Sequence, residues 1–427
     1  MNSQVVDELD IVPEVRHTDP ERLRWLVPEV SAATDRLLSF QPTDERAATA
    51  SIAQHFASLR KALWTSPHMI SRLRACGLSP DDLQGPDDLH HFPTLSRTEW
   101  GNAWRDLPIH PPEPLWVAVP SSGSTGAPVQ VVKSAFDQVH MWAVLDFLIV
   151  RRQLTRSTQV ALLCTLPSGM EYDAALPMFH EGHLHRISTQ RARPWERLAA
   201  LPNPILFTDP AGLHWLLAQS PLRPTLVLSS ASHLSPSVRQ ASEAHFQCPV
   251  VDYYATTEVG AIAATCGEQR LHVLAPEVFV ESIEGELVVS RLRSSAIPIL
   301  RYRTGDSGRV AWISCRCGQN GWVIADFSGR HACWFTNPAG AQIDAWQLAW
   351  LFKHHALTDF RVTQDSTSQF TIELVGTAKP NLQEHLYEAL FRMGWVSPSL
   401  SFHTCEAIPR SGSKASPFRT MVSPPSP

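Results

Sequence analysis

The sequence predicts an α/β protein: a large N-terminal region with mostly parallel sheets and crossover helices, followed by a small α+β C-terminal unit. Three observations carry this. From about residue 115, short apolar runs alternate with stretches of helical periodicity, the pattern of strands joined by crossover helices. After about residue 270 the chain turns to successive strands, GELVVSRL, IPILRYRTGD and GRVAWIS. From about Gly329 a hairpin pattern, RVTQDSTSQFTIELVG, precedes a helical NLQEHLYEALFRMG and a strand-like LSFHTCEAI, enough for a separate small unit.

Taken in order, residues 1–90 read as a helical lead-in, with apolar residues three and four apart in ERLRWLVPEV, TDRLLSF and SIAQHFASLRKALW, punctuated by Pro28, Pro42 and Pro67. Residues 91–328 form the core of the N-terminal domain. There Val160–Leu166, ended by Pro167, Ser168 and Gly169, reads as a strand, and so do Pro204–Thr208, LVLSS and VVDYYA, these three followed in turn by helix-like AGLHWLLAQ, PSVRQASEAHF and TTEVGAIAA. Ligands in such sheets lie in the loops beyond the carboxyl ends of the strands. Residues 329–420 form the small unit and 421–427, rich in proline and serine, a tail.

The composition is that of an ordinary globular chain: 427 residues, 44% apolar, 18% charged, net charge -5. A charge so small for this length gives no electrostatic reason to expect nucleic acid or an anionic membrane as partner. The N-terminus MNSQVVDELDIVPEV lacks the basic-then-apolar order of a signal peptide, and no apolar run reaches the length of a membrane span. These features predict a cytosolic protein, in which eight cysteines are reduced and any clustering among them points to metal or chemistry.

Ser121–Pro128 reads SSGSTGAP between two apolar runs. Gly123 and Gly126, with hydroxyls at Ser121, Ser122, Ser124 and Thr125, can turn backbone and side-chain donors toward phosphate oxygens. The same composition also suits a plain surface turn. It is not a Walker A loop, since Ala127 stands where that motif needs Lys.

Four stretches then fall in a known order: SSGSTGAP at 121, YYATTEVG at 253, RYRTGD at 301 and PRSGSK at 409. In this order the chain, from about Phe92 to Arg419, resembles the adenylate-forming enzymes that activate carboxylic acids with ATP, and within them the phenylacetate-CoA ligase branch. The resemblance implies a large adenylate-forming domain and a small mobile C-terminal domain. It implies that the 121–128 loop holds phosphates, Thr257 a phosphate oxygen and Glu258 magnesium, a hard cation that prefers carboxylate oxygen. Tyr254 would stack near the adenine, with Ser230 and Ala231 as further adenine contacts. Asp306 would accept both ribose hydroxyls, since an acceptor-only group matches a diol. Gly329 and Arg330 match the hinge, and Lys414, on a mobile loop, would touch the substrate carboxylate and the α-phosphate. Such a contact suits a point charge on a flexible stem. The chain departs from the pattern at Ala127, Ser232, Ala255 and Ala332.

Cys315 and Cys317 in CRCG, with Cys266 and His272 in CGEQRLH, supply three thiolates and an imidazole, the donor set of a closed structural zinc site, as many members of the branch have. Four unrelated residues are the other reading. His180, His183 and His185 in FHEGHLHR lack the HExxH arrangement; strand geometry puts His183 and His185 on one face and His180 on the other, which favours pocket or surface histidines over a metal site.

The activity implied is ATP-dependent formation of an acyl-adenylate from a small carboxylic acid, then transfer to a thiol, with an aryl acid and coenzyme A as expected partners. Loading of the phosphopantetheine arm of an acyl or peptidyl carrier protein is the alternative acceptor, and a degenerate nucleotide-binding protein on the same scaffold the alternative class. Neither nucleic acid nor membrane is expected as a partner.

Overall fold

The computed structural model describes residues 23–64, 66–97, 99–100, 117–120, 130–133, 135–164, 171–189, 193–219, 222–232, 234–293, 295, 298–329, 333–354, 356–409 and 417–422. It divides into compact units at the Ser328/Gly329 boundary. The first unit opens with helices α1 (Leu26–Ser39), α2 (Glu45–Trp64) and α3 (Pro67–Ala75). Strands β1 (Val117–Pro120) and β2 (Gln130–Lys133) pair as a two-stranded sheet, and helix α4 (Ala135–Arg151) follows.

The chain then builds one sheet from β3 (Gln159–Cys164), β4 (Tyr172–Leu176), β5 (Gly182–Ser188), β6 (Ile205–Thr208), β7 (Leu226–Ser229), β8 (Val250–Thr256), β9 (Gly260–Thr265), β10 (Leu271–Val273), β11 (Val278–Ile283), β12 (Glu286–Arg291), β13 (Tyr302–Ser314) and β14 (Asn320–Ser328). Its twelve strands run in the order β11-β12-β13-β14-β10-β9-β8-β7-β6-β3-β5-β4. Helices α5 (Pro194–Ala199), α6 (Pro210–Leu217) and α7 (Pro236–Phe246) lie between strands of this series. Among the described residues, no helix is long and apolar enough to cross a membrane.

The sheet is mixed, which corrects the expectation of mostly parallel sheets. Parallel pairing is confined to β5-β3-β6-β7-β8; β4 joins antiparallel, as do the strands from β8 through β9, β10, β14, β13 and β12 to β11. The parallel part is covered on both faces. Leu226 and Leu228 pack with Trp142 and Leu145 of α4 and Leu26 and Leu37 of α1, whereas Val227 packs with Leu213 and Leu216 of α6 and Phe246 of α7. A strand buried on both sides reads as a continuous apolar run, which is why these strands were legible. Helix starts are equally local: the Asp209 carboxylate accepts from Gly212 N at 2.7 Å and Ser235 Oγ from Val238 N at 3.3 Å, each one residue before a proline at the first helical position.

The second correction concerns TTEVGAIAA. Instead of a crossover helix, Thr257–Gly260 makes a turn and the chain returns as β9, antiparallel to β8. Gly260 takes φ +85°, a left-handed value that interrupts a helix and reverses the chain.

The second unit pairs β15 (Trp334–Thr336) with β16 (Gln342–Asp344) and continues through a 3-10 segment, Ala345–His354. A sheet of β17 (Ala356–Ser366), β18 (Gln369–Thr377), β19 (Ser399–Thr404) and β20 (Phe418–Thr420) runs β19-β18-β17-β20, with helix α8 (Leu382–Arg392) between β18 and β19. Phe360, Phe370, Phe418, Leu386 and Trp395 form its own core.

Candidate active site and a cysteine-histidine cluster

Period-two geometry assembles the site. In β13, Tyr302, Thr304 and Asp306 alternate with more exposed neighbours and so share the inner face. Gly305 turns with φ +73° and its amide donates to Glu286 Oε1 at 2.9 Å. Residues before β1 brace the start of the strand: Leu95 N donates to the Arg301 carbonyl at 2.7 Å and Arg303 N to the Leu95 carbonyl at 2.9 Å.

The buried Asp306 accepts from the Tyr254 hydroxyl at 2.8 Å. Tyr254 belongs to β8, four places from β13 in the sheet order; in a flat sheet that separation is about 19 Å, so the contact requires the sheet to curl over. Phe327 covers the Tyr254 ring with centroids 4.6 Å apart. Across the same face, the Tyr302 phenol lies within reach of the charge of the buried Glu258 carboxylate. Burial, reinforced by the Asp306 charge, pushes the Tyr254 phenol well above its usual range. Burial and the Glu258 charge do the same to Tyr302, with the Arg97 guanidinium opposing them. Both phenols therefore stay protonated at ordinary pH, and Tyr254 acts as a donor to Asp306.

The turn bearing Thr257 and Glu258 is held from several directions. Thr256 Oγ1 accepts from Val259 N at 3.1 Å, Arg291 Nη1 donates to the Glu258 carbonyl at 3.3 Å and Arg293 Nη2 to the Val259 carbonyl at 2.6 Å. Thr257 is half-buried. Ser230 and Ala231 follow β7, at the carboxyl end of the parallel strands; Ser230 N donates to the Thr208 carbonyl at 3.0 Å, and Ala231 is exposed with φ +73°. Ser232, which departs from the family pattern, has a buried hydroxyl without a hydrogen-bond partner among the described residues.

Elsewhere in the unit two hairpin ends meet. Cys266 and His272 flank the β9/β10 turn, while Cys315 and Cys317 occupy the β13/β14 turn, and β10 pairs with β14. Cys266 Sγ lies 3.9 Å from Cys315 Sγ, Cys317 Sγ 3.7 Å from His272 Nε2, and the four ligand atoms all fall within 4.8 Å of one another. Tetrahedral zinc with ordinary bond lengths spaces its ligands about 3.5–3.8 Å apart. Burial lowers His272 to about 4 and leaves the imidazole neutral; burial likewise pushes the Cys317 thiol up to about 12, with Cys315 and Cys266 contributing. Among the described residues, His272 Nδ1 is buried without a hydrogen-bond partner. The FHEGHLHR histidines form no such group. His183 and His185 share a face of β5 with centroids 6.4 Å apart, and His180 lies in the preceding turn, 2.9 Å from Asp146 Oδ1.

No family model matches the sequence. A phenylacetate-coenzyme A ligase of Aromatoleum evansii is 25% identical over 293 residues, 59% of this chain; the match spans 64% of that relative's length. A 2-hydroxyisobutyryl-CoA ligase, in complex with 2-HIB-AMP and CoA in the thioesterification state, superposes over 89% of this chain and 91% of its own, with TM-score 0.57 at 14% identity. The chain thus shares the fold of this CoA ligase and is similar in sequence, over part of its length, to a second one. The same ligase in the postadenylation state with R3-HIB-AMP superposes over 88% of this chain and 90% of its own, with TM-score 0.55 at 14% identity.

Of the residues that sequence reasoning assigned to an adenylate-forming site, the structure brings Tyr254, Glu258 and Asp306 to one region and Cys266, His272, Cys315 and Cys317 to another. Ser121, Ser122, Gly123, Ser124, Thr125 and Gly126, with Ala127, lie outside the described residues, as do Arg330, Ala332 and Lys414. Sequence reasoning missed Tyr302, Thr304, Arg97, Arg291 and Arg293. Tyr302 and Thr304 had a signal, since they stand four and two places before Asp306 in a strand. The arginines had none: their partners are distant in sequence.

Proposed function

We propose that the chain is an ATP-dependent acid-thiol ligase. A carboxylate attacks the α-phosphorus of ATP, pyrophosphate leaves, and the acyl-adenylate then passes its acyl group to the thiol of coenzyme A, releasing AMP. An aryl acid is proposed as substrate from the match to phenylacetate-coenzyme A ligase. The observation that carries the reading is the grouping of Tyr254, Asp306, Tyr302 and Glu258. Tyr254 donates to the buried Asp306, Tyr302 lies beside the buried Glu258, and both acids belong to motifs that resemble the family's.

In this reading Asp306 keeps lone pairs for the ribose diol while Tyr254 holds one of its oxygens. Glu258, beside Tyr302, would hold magnesium, with Thr257 on a phosphate oxygen. Bound magnesium would offset the phosphate charge that opposes attack by an anionic acid. Ser121–Gly126 would supply donors to the departing pyrophosphate. Arg330 and Lys414 would bring positive charge from the C-terminal unit, with rotation about Gly329 and Arg330 withdrawing Lys414 before thiol transfer. We also assign Cys266, His272, Cys315 and Cys317 to a structural zinc ion. Their donor types and spacing fit four ligands with no open position, and such an ion would tie together two neighbouring hairpins.

The test is ATP-pyrophosphate exchange over a panel of aryl, amino and fatty acids, beside Lys414→Ala. Exchange is expected with an aryl acid, and its loss by about 100- to 1,000-fold in the variant, as when a donor to the transition state is removed. Absence of exchange with every acid would overturn the reading. Product formation with coenzyme A, but not with a holo carrier protein, is the expected second result.

A further inference from the structure

The turn that presents Glu258 is clamped by residues outside every motif. Arg291, the last residue of β12, uses Nη1 twice, to Asp137 Oδ1 in the first turn of α4 at 2.7 Å and to the Glu258 carbonyl at 3.3 Å. Arg293, two residues on, donates Nη2 to the Val259 carbonyl at 2.6 Å. The two arginines are 4% and 7% exposed. Placing two like charges side by side in a protein interior is unfavourable. Burial and the neighbouring Arg291 pull Arg293 down to about 9, with Glu277 and Asp137 opposing. Around them Glu277 pairs with Arg36 at 2.6 Å and lies 3.7 Å from His140 Nδ1, and burial keeps His140 neutral.

Apolar side chains of similar volume would fill this space at lower cost, so the arginines call for an explanation beyond packing. What they contact supplies one. Their hydrogen bonds fall on the carbonyls of two consecutive residues, Glu258 and Val259. Both carbonyls belong to the turn that carries the Glu258 side chain. Gly260 makes the approach possible, because a Cβ there would lie 2.9 Å from Arg293 Nη2.

We propose that Arg291, braced by Asp137, and Arg293 are positioning residues that fix the Thr257–Gly260 turn, and through it the Glu258 carboxylate, in the orientation adenylation requires. What Glu258 does once oriented rests on the ligase reading above; the clamp itself does not. Residues that hold a metal-binding carboxylate in place typically change affinity or activity by about 10- to 100-fold when altered.

The experiment compares the full-length parent, Arg293→Gln and Arg293→Lys. Two readouts are used: hydrogen exchange of peptides covering 253–262, and pyrophosphate exchange titrated with Mg2+ and with acid. In Arg293→Gln the turn amides should exchange faster while peptides of α6 and α7 do not change. The turnover rate should fall by about 10- to 100-fold, with a higher Mg2+ requirement and a KM for the acid within about twofold. Arg293→Lys, which keeps the charge but loses the planar fork, should fall between the two. Should Arg293→Gln not fold, Gly260→Ala displaces the same guanidinium and takes the same two measurements. Unchanged protection of 253–262 in a folded variant overturns the proposal whatever the activity. A loosened turn with parent-like turnover and Mg2+ dependence overturns its catalytic part. An inactive parent whose turn still loosens in the variant refutes the ligase reading and supports the clamp.

Discussion

Gly260→Ala tests the architecture of the motif turn with a single methyl group. The residue sits at φ +85°, and the added Cβ would stand 2.9 Å from Arg293 Nη2, which itself lies 2.6 Å from the Val259 carbonyl. Two costs follow. A non-glycine residue in left-handed backbone costs about 1–2 kcal/mol, and moving a charged donor off a buried carbonyl costs about 1.5–3 kcal/mol. Together they predict a loss of about 2.5–5 kcal/mol, a large share of the roughly 5–15 kcal/mol that keeps a domain folded. Equilibrium urea unfolding of the full chain, parent beside variant, measures it. The two parts separate in a double-mutant cycle. With Arg293 already replaced by Ala, the methyl should cost only the backbone part, leaving a coupling of about 1.5–3 kcal/mol. A loss under about 0.5 kcal/mol, or the same loss in both backgrounds, would refute the reasoning.

Two further predictions concern the same unit. Metal analysis of purified protein should find about one zinc per chain, falling sharply in Cys315→Ser and Cys317→Ser; a metal-free parent would remove the zinc assignment. Asp252 is raised to about 6 by burial, with Arg239 only partly offsetting it, so near pH 5 the folded chain binds a proton there that the unfolded chain largely releases. Its contribution to stability is therefore present at low pH and is lost as pH rises from about 4 to about 6. Asp252→Asn should flatten that part of the stability-pH curve, and an unaltered curve in the variant would show that Asp252 does not carry the effect.

Much of the fold was legible because its information is local. The strands around Val160, Leu226 and Val250 are apolar on consecutive positions because helices cover both faces, and α6 and α7 announce themselves through Asp209-Pro210 and Ser235-Pro236. TTEVGAIAA was misread for a related reason. Its small apolar residues suit a buried helix as well as a buried strand, and pairing with β8 decides between them. The parallel character was overestimated because alternation identifies the crossover strands but says nothing of the strands β9 to β14 that extend the same sheet.

The sequence by itself determined the order of the motifs, the identity of the acids Glu258 and Asp306 and the donor types of the Cys266, His272, Cys315 and Cys317 set. These are properties of single residues and short spacings. Only the tertiary structure decided that Tyr254 donates to Asp306 and that Tyr302 lies beside Glu258, that two hairpin ends bring three sulfurs and a nitrogen within 4.8 Å, and that Arg291 and Arg293 hold the motif turn. The physical reason is that each of these contacts joins strands or helices far apart in sequence. Their geometry depends on how the sheet curls and on which faces become buried, which no local pattern encodes.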